Sequence, residues 1–274
     1  MRTFVVTAVR GRAAHLRRQL EGLARSHDRP AGHVVVAMAD DTVAATVRAS
    51  GSAACVVDHH TADGRLQVAG ARNLGARRAI EAGAELLVFL DVDCIPAPEL
   101  IARYRQAAAD GRYADALLCG PVTYLPPPEP TGYDLQTLTR RISPHPGRPM
   151  PSGDAILQTT DYQLFWSLSF AVTASTWTKI GGFCTDYDGY GGEDTDFGQL
   201  AMSKEVPMFW VGGAHAFHQY HPVSDPPVEH LADILANAAV FQRRWGWWPM
   251  HGWLDQFQAA GLITRDADGS PHLV

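Results

Sequence analysis

An α/β fold, with a mostly parallel central sheet and helices on both of its faces, is predicted by three features of this sequence. Short continuous apolar runs such as LLVFL (residues 86–90) are typical of strands that are buried on both faces. Segments of helical pattern separate these runs, as in folds where crossover helices join parallel strands. The 274 residues are enough for one large domain that buries its own core.

Strands and helices alternate along the first 120 residues. Strands are predicted at four places: Thr3–Val9, His33–Ala39, Ala54–Asp58 and Leu86–Leu90. Helices are predicted at about Ala13–Ala24, after Asp41, and over Arg72–Gly83, where Gly83 suits a C-terminal stop. Ligands of such sheets bind beyond the carboxyl ends of the strands. We therefore expect one rim of the sheet to gather the polar residues that follow strands: Arg10, Asp41, Asp58, Asp91 and Asp93.

Residues 121–160 are expected to form a loop region, because GPVTYLPPPEPTGYD and SPHPGRPMPSGD carry too many prolines for regular structure. Loops of this length in compact domains are usually lids or binding loops. Further along, the pattern predicts a helix over Ser175–Ile180 that ends at Gly181, strands in VPMFWVG and AHAFH, and a helix at about Val228–Arg244. The domain therefore divides into residues 1–120, 121–160 and 161–274.

Charge, cysteine content and apolar run length exclude several classes of protein. The net charge of −6 argues against a nucleic-acid partner. Four scattered cysteines without a CxxC pair predict buried free thiols: Cys55, Cys94, Cys119 and Cys184. The longest apolar runs are shorter than the ~18–20 residues of a membrane span, and the N-terminus lacks the features of a signal peptide. A soluble, cytoplasmic protein is expected.

Asp91 and Asp93 follow the predicted strand at 86–90, one residue apart. Their charges repel unless a cation lies between them or one of them does chemistry. Two such carboxylates suit Mg²⁺ or Mn²⁺ that also binds substrate phosphates. Solvated aspartates in a turn are the plainer interpretation.

The same motif allows a phosphatase. In haloacid-dehalogenase-type phosphatases a strand-terminal pair of this kind supplies a nucleophile, here Asp91, and an acid/base. Lys179 ahead of Glu193 and Asp194 resembles the lysine and acidic pair of that class. Ile95 at the fifth motif position, and the strands that precede the motif, weaken this alternative but leave it open.

The segment GGEDTDFG (residues 191–198) carries a second acidic cluster. Gly191 and Gly192 allow the backbone to approach a ligand, and Glu193 and Asp194 fall in the first turn of a predicted helix, which favours their ionised forms. A carboxylate in that position can act as a general base, although helix capping is an alternative role. Asp196, further along, is expected at the surface or as a cap.

Four motifs, in order, carry a resemblance. VRGRAAHLRRQL (Val9–Leu20) resembles the F-R-x-R-x-x-H-L segment of β-1,4-galactosyltransferases, and KIGGFCTDYDGYGGEDTDFGQL (Lys179–Leu200) resembles their N-G-F…W-G-G-E-D-D-D segment. Polypeptide N-acetylgalactosaminyltransferases share the W-G-G-E part. GARNLGA (Gly70–Ala76) is similar to the A-R-N-x-G of family 2 glycosyltransferases, and the D-x-D lies between these segments. The resemblance covers about residues 3–220, apart from the Pro-rich middle.

This resemblance implies a GT-A fold, a nucleotide-sugar donor that is usually a UDP-sugar, and a divalent metal that is typically Mn²⁺, with Mg²⁺ as the alternative. Carried over residue by residue, the donor-contacting set is Thr7, Arg10, Arg12, Asp41, Arg72, Asp91 and Gly192. The metal ligands are Asp93, His218 and Asp91, with His221 as the alternative to His218 among the histidines of HAFHQYHP. The loop at 222–229 is expected to order over the bound donor.

The catalytic residues that the resemblance implies are Asp194, as general base, and Glu193, which contacts the transferred sugar. Retaining relatives have Asn at the position of Asp194, so the Asp favours inversion. Tyr190 replaces the family's Trp ahead of the glycines, which leaves the identity of the sugar open.

The predicted function is therefore transfer of a hexose (galactose, glucose or an N-acetylated analogue) from a UDP-sugar to a hydroxyl-bearing small molecule, glycan or peptide. Residues 1–120 then form the nucleotide-binding half and residues 161–274 the acceptor-binding and catalytic half. The phosphatase, and a non-catalytic protein that binds nucleotide sugars or glycans, are the alternatives. The sequence leaves the acceptor and the oligomeric state open.

Overall fold

The computed structural model of the protein describes residues 1–61 and 64–274. Its α-helices are α1 (Ala13–Ala24), α2 (Thr42–Ala49), α3 (Val68–Glu81), α4 (Leu100–Ala109), α5 (Ala174–Ile180), α6 (Glu193–Ser203), α7 (Leu231–Trp245) and α8 (His251–Ala259). Its strands are β1 (Thr3–Val9), β2 (Gly32–Met38), β3 (Cys55–His59), β4 (Leu86–Leu90), β5 (Cys94–Pro96), β6 (Leu117–Cys119), β7 (Val122–Tyr124), β8 (Ile156–Thr159), β9 (Ser169–Thr173), β10 (Met208–Val211), β11 (Ala216–His218), β12 (Ile263–Arg265) and β13 (Pro271–Leu273).

The central sheet has the strand order β3-β2-β1-β4-β9-β6-β10-β8 across the described part of the chain. Strands β3, β2, β1 and β4 are parallel, and β6 and β10 run in the same direction. Only β9 and β8, among the strands of this sheet in the described ranges, run the opposite way. The predicted mostly parallel α/β sheet is confirmed.

Helices cover both faces of the sheet because side chains along each strand alternate between them. Val6, Val34 and Val36 point to the face that is covered by α3, α5 and α6. Val9, Val35 and Ala37 point to the other face, where α1 and α2 pack. Gly75 brings α3 close to the sheet, since a Cβ there would lie 2.4 Å from Cγ1 of Val6.

A small second sheet, with the strand order β5-β11-β7, lies beyond the carboxyl end of β4. Strand β5 begins at Cys94, directly after the D-x-D, and its register aligns Cys94 with His218 of β11. The backbone N–H of Gln219 donates to the carbonyl oxygen of Asp93 at 2.7 Å. This sheet therefore brings the C-terminal histidines beside the aspartate pair.

Several sequence-based boundaries and burial predictions are wrong in detail. Residues 121–160 contain β7 and β8, and the prolines do not prevent β7 because Pro121 and Pro126 flank it. Helix α3 begins at Val68, four residues before the predicted start, and Asp58 is an exposed residue inside β3 rather than after it. Two of the thiols are buried as predicted, Cys94 and Cys119, whereas Cys55 is exposed and Cys184 half-buried.

Among residues 1–61 and 64–274, none of the helices combines the length and the hydropathy that crossing a membrane takes.

Candidate active site

The D-x-D turn is held from below by a buried side chain of α1. Gln19 Nε2 donates to the carbonyl oxygens of Asp91 (2.6 Å) and Cys94 (3.1 Å). Its Oε1 accepts from the hydroxyl of Thr7 at 2.9 Å, and Nε2 of His33 lies 3.0 Å from the same hydroxyl. Burial lowers the pKa of His33 to about 3, so this ring is neutral and its Nε2–H can donate to Thr7.

Thr7 was predicted to contact the donor, and the structure places it elsewhere. Its side chain is buried, and its hydroxyl is taken up by Gln19 and His33. Thr7 therefore supports the position of the D-x-D turn from inside the sheet. Sequence reasoning missed Gln19 itself, although a glutamine within the apolar face of α1, between Leu16 and Leu23, is the kind of signal that marks a buried polar contact.

Asp93, His218 and His221 converge, and one ligand atom from each lies within 4.8 Å of the others. Nε2 of His218 is 3.5 Å from Oδ1 of Asp93, and Nε2 of His221 is 3.6 Å from Oδ2. Oδ1 of Asp93 is buried and has no hydrogen-bond partner in the described residues. A buried carboxylate oxygen left in this way between two imidazoles fits a divalent cation.

The two candidate ligands His218 and His221 thus both face Asp93, whereas His215 does not. Burial lowers the pKa of His218 against the raising effect of Asp93, which favours the neutral imidazole that a metal requires. His215 is buried, with Nε2 at 2.8 Å from Oγ1 of Thr123, and has a structural role. Asp91 does not belong to this cluster.

Asp91 is instead paired with Arg72. The Arg72 guanidinium is buried and donates through Nη2 to Oδ1 of Asp91 (2.8 Å) and through Nη1 to Oε1 of Glu193 (3.1 Å). The ring of Phe183 lies under the same guanidinium, 5.1 Å from centroid to Cζ. Arg72 therefore joins the D-x-D to the start of α6, and its own positive charge compensates that of Asp91 without a metal ion.

Asp194 lies beside this pair in the first turn of α6, where its Oδ1 accepts from the backbone N–H of Thr195 at 2.7 Å. The helix N-terminus was expected to favour its ionised form. Burial, and next the charge of Glu193, instead raise the pKa of Asp194 to about 7. Desolvation and a neighbouring carboxylate outweigh the helix end because the guanidinium of Arg72 bonds Glu193 and Asp91 rather than Asp194.

The remaining donor-side predictions fall on different parts of the rim. Arg10 is exposed and donates from Nη1 to the carbonyl oxygen of Gly64 at 3.4 Å. Arg12 is half-buried at the start of α1, and its charge adds to the effect of burial in lowering the pKa of His218. Asp41 is exposed at the start of α2.

Asp40, which the sequence reasoning passed over in favour of its neighbour, is the engaged acid at this end of β2. Its carboxylate accepts from the backbone N–H of Gly11 at 2.7 Å and from both the N–H and the hydroxyl of Thr42. It therefore ties the loop after β1 to the start of α2. The doublet of aspartates gave no sequence signal for choosing between them.

Gly192, which precedes the acidic residues Glu193 and Asp194, also has a role in packing. Its φ is +93°, and a Cβ would lie 3.1 Å from the ring of Tyr187. Asn237 of α7 holds the loop by donating to the carbonyl oxygens of Asp188 and Gly191. The glycine is thus needed to turn the chain into α6 against Tyr187.

The prediction that Asp196 lies at the surface is wrong. Its carboxylate is fully buried and accepts from the Tyr187 hydroxyl, Nε of Arg244 and Nε1 of Trp245. The side chain fastens α6 to the end of α7. Tyr190, just before the glycines, is 36% exposed and stacks on the ring of His230 with centroids 4.3 Å apart.

The phosphatase alternative is wrong. Lys179 lies on α5, exposed, and donates to the carbonyl oxygen of Glu205, while Asp91 is paired with Arg72. The fold is, moreover, the one that the similar glycosyltransferase structures reported below share.

Comparison with known proteins finds similarity to glycosyltransferases. Residues 154–222 match the family model described as the N-terminal domain of galactosyltransferase. The validoxylamine A glucosyltransferase of Streptomyces hygroscopicus subsp. limoneus is 30% identical over 226 residues, which cover 74% of this chain and 48% of the relative. The chain thus spans about half the length of the curated relatives it matches.

Solved structures of glycosyltransferases share the fold. TarS 1–349 of S. aureus in complex with UDP-GlcNAc superposes with a TM-score of 0.59 at 11% identity, covering 94% of this chain and 78% of that one. GalNAc-T7 with UDP, GalNAc and Mn²⁺ gives a TM-score of 0.57 at 12% identity, covering 94% and 56%. The predicted GT-A fold is confirmed.

Proposed function

We propose that this chain transfers a hexose from a UDP-sugar to a hydroxyl group of an acceptor, with a divalent metal, with inversion at the anomeric carbon and with Asp194 as the general base. The observation that carries the proposal is the pairing of two sites across the D-x-D. The cluster of Asp93, His218 and His221 lies on one side, and the carboxylates gathered around Arg72 lie on the other.

Asp93, His218 and His221 would hold the metal, because they offer one carboxylate and two imidazoles to a single point. This donor set suits Mn²⁺, which accepts both oxygen and nitrogen ligands, more than it suits Mg²⁺. When bound, the cation supplies positive charge to the diphosphate of the donor and to the leaving group. Arg12, at the start of α1, adds a second positive charge on this side.

Arg72 orients the residues that face the sugar. Because its guanidinium bonds Asp91 and Glu193 at once, both carboxylates are fixed, with their other oxygens available to hydroxyl groups of the donor. Such fixed acceptors hold the ribose and the transferred sugar in one orientation, which contributes to rate through positioning.

Asp194 has the properties of a base that works near neutral pH. Its pKa of about 7 means that it is partly ionised at neutral pH and still basic enough to take a proton from an acceptor hydroxyl. In the proposed step the hydroxyl proton moves to the Asp194 carboxylate as the hydroxyl oxygen attacks the anomeric carbon, and the bond to the diphosphate breaks on the opposite face.

The similar proteins support this assignment of donor and metal. The curated relatives are named glucosyltransferases, and the similar structures include complexes with UDP-GlcNAc, with UDP and Mn²⁺, and with GDP-Man and Mn²⁺. The identities of the nucleotide and of the sugar are therefore the first to be determined.

Donor binding tests the metal assignment. Isothermal titration calorimetry with UDP, in the presence and absence of Mn²⁺, is compared for the wild type, Asp93→Asn and Asp115→Asn, an exposed carboxylate outside the site. We expect Mn²⁺ to tighten UDP binding at least tenfold in the wild type and in Asp115→Asn, and to have no effect in Asp93→Asn. Equal Mn²⁺ dependence in all three proteins would show that the metal lies elsewhere.

Turnover tests the reaction. UDP-, GDP- and TDP-sugars are screened with Mn²⁺ for hydrolysis, and the best donor is then used with a panel of hydroxyl-bearing acceptors. NMR of the product reports its anomeric configuration, which we expect to be opposite to that of the donor. A product of retained configuration would contradict the base assignment, and tight binding without turnover of any donor would favour the non-catalytic alternative.

A further inference from the structure

Arg148 is a cation buried between two tryptophan rings in the proline-rich region. Only 6% of the residue is exposed, and its Cζ lies 5.1 Å from the ring centroid of Trp166 and 4.5 Å from that of Trp210. Its segment is held on the small sheet, because His145 donates its backbone N–H to the carbonyl oxygen of Val122, and Arg148 donates its own to His145. Its place in the fold is therefore fixed by backbone hydrogen bonds.

The guanidinium has no compensating partner. Within residues 1–61 and 64–274, Nε, Nη1 and Nη2 of Arg148 have no hydrogen-bond acceptor. Nε1 of Trp210, a fully buried donor in contact with the same cation, also lacks an acceptor. Buried polar groups are almost always satisfied, and buried charges are almost always paired.

The groups around Arg148 are neutral. Burial lowers its pKa, and the titratable groups that act on it are two thiols and two phenols: Cys119, Tyr124, Tyr104 and Cys94. Three N–H-bearing atoms that share a positive charge are thus buried with no acceptor from the described chain, and Nε1 of the Trp210 ring that the guanidinium contacts is a fourth donor without one. The ligand chemistry that satisfies such a set is an anion with two or more oxygens, or a halide.

We propose that the Arg148 guanidinium, which lies between the rings of Trp166 and Trp210, forms an anion-binding site that takes a carboxylate, a phosphate or a halide. The site does not depend on the proposed transfer reaction. It lies close to the candidate active site, however, because the Trp166 ring contacts His145, the His145 ring contacts Tyr124, and Tyr124 lies on His218 with centroids 4.7 Å apart.

Two sources of the anion are compatible with this position. One is a free inorganic or organic anion, and the other is the anionic group of an acceptor that extends from His218 along these rings. The partly exposed rings of Tyr124, His145 and Trp166 form the surface by which a ring-shaped acceptor would reach Arg148. Both sources would make the same contact with the guanidinium. A series of ligands that differ in the part attached to the anionic group therefore distinguishes them.

Thermal unfolding in the absence of metal and nucleotide tests the site. The wild type, Arg148→Met and Arg103→Met are compared in a buffer of low anion content and with added chloride, acetate, phosphate, glucuronate or glucose. Methionine keeps the length of the side chain and its contact with the rings. Arg103 is the matched control, because it is also buried but donates to the carbonyl oxygens of Gly212 and Asp154.

We expect anions to raise the Tm of the wild type and of Arg103→Met with saturation, by about 5 °C at 100 times the Kd, and to leave that of Arg148→Met unchanged. In the low-anion buffer, Arg148→Met should be at least as stable as the wild type, because it removes an unpaired buried charge, whereas Arg103→Met should be less stable. A response to glucuronate at lower concentration than to acetate assigns the anion to a sugar-like acceptor. Responses to chloride, acetate or phosphate but not to glucuronate would show that the site takes a free anion from solution.

Three results would overturn the proposal. They are the absence of a saturable response to every anion in the wild type, an undiminished response in Arg148→Met, and an equal response to glucose and glucuronate. None of these readouts uses donor or turnover, so the site can fail while the proposed transfer reaction stands, and the reverse also holds.

Discussion

Replacing Asp194 with Asn is expected to change stability and catalytic rate in opposite directions. Asn keeps an oxygen that accepts from the Thr195 N–H, which now bonds Oδ1 of Asp194 at 2.7 Å, and it removes the charge. The wild-type carboxyl has a pKa of about 7 in the folded protein, because burial and Glu193 disfavour its charge. In the unfolded chain an Asp titrates near 3.9. We therefore expect the variant to be more stable than the parent and to transfer sugar much more slowly.

The sign and size of the effect depend on pH. Below about pH 4 the carboxyl is protonated in both states and costs nothing. From about pH 4 to 7 it is ionised only in the unfolded chain, so the wild type loses stability progressively, and above 7 the loss is complete. The pKa of Asp194 is about 7 in the folded state, about three units above that of the unfolded chain. This difference corresponds to a loss of at most roughly 4 kcal/mol in the free energy of unfolding. Because the side chain is only partly buried, we expect about 1–3 kcal/mol at pH 8 and about 1 kcal/mol at pH 5.

Urea unfolding at pH 5 and pH 8 measures this, without metal or nucleotide, and Asp115→Asn is the control, which should change the free energy of unfolding by less than about 0.5 kcal/mol. With donor and Mn²⁺, the rate of sugar transfer by Asp194→Asn should fall by about 10²–10⁴-fold. A variant that is no more stable than the wild type at pH 8 would refute the electrostatic reasoning. Transfer at the parent rate would refute the base assignment.

Two further substitutions test the surroundings of the site. Arg72→Met should lower the free energy of unfolding by about 3–5 kcal/mol at pH 8, since Asp91 and Glu193 lose their common partner. Arg72→Lys should recover only part of this loss. Urea titration measures both variants, and a loss below about 1 kcal/mol in Arg72→Met would contradict the bridging role of Arg72. Gly192→Ala should lower it by about 1–3 kcal/mol, from its φ of +93° and the close ring of Tyr187. The control Gly261→Ala, with a φ of +70° and open space, should cost less, and equal losses would show that Tyr187 has no part.

The local part of the fold was readable from the sequence. Three elements have the predicted bounds, Thr3–Val9, Ala13–Ala24 and Leu86–Leu90, because a continuous apolar run or a helical apolar face is a short-range pattern. The strand at Val122–Tyr124 was not readable. Its partner β11 lies more than 90 residues later in the chain, and nothing within a proline-rich stretch announces such a pairing.

The same distinction applies to the site. Motif order drew attention to Asp93, Asp194 and His218, and the structure brings Asp93 and His218 together, although their roles stay predictions until they are measured. The partners that set the chemistry could not be read in this way. Arg72 bridges two residues that follow it by 19 and by 121 positions, Asp91 and Glu193. The buried environment of Asp196 depends on Arg244 of α7, 48 residues away.

The central sheet interleaves the two halves of the chain. Strand β9, from the later half, lies between β4 and β6 of the earlier half, and β6 in turn lies between β9 and β10. Recombination that exchanges one half with that of a relative must therefore match three strand pairings at once: β4 with β9, β9 with β6, and β6 with β10. Engineering a new acceptor preference is better attempted by grafting the loops at the rim, which leaves all three pairings intact.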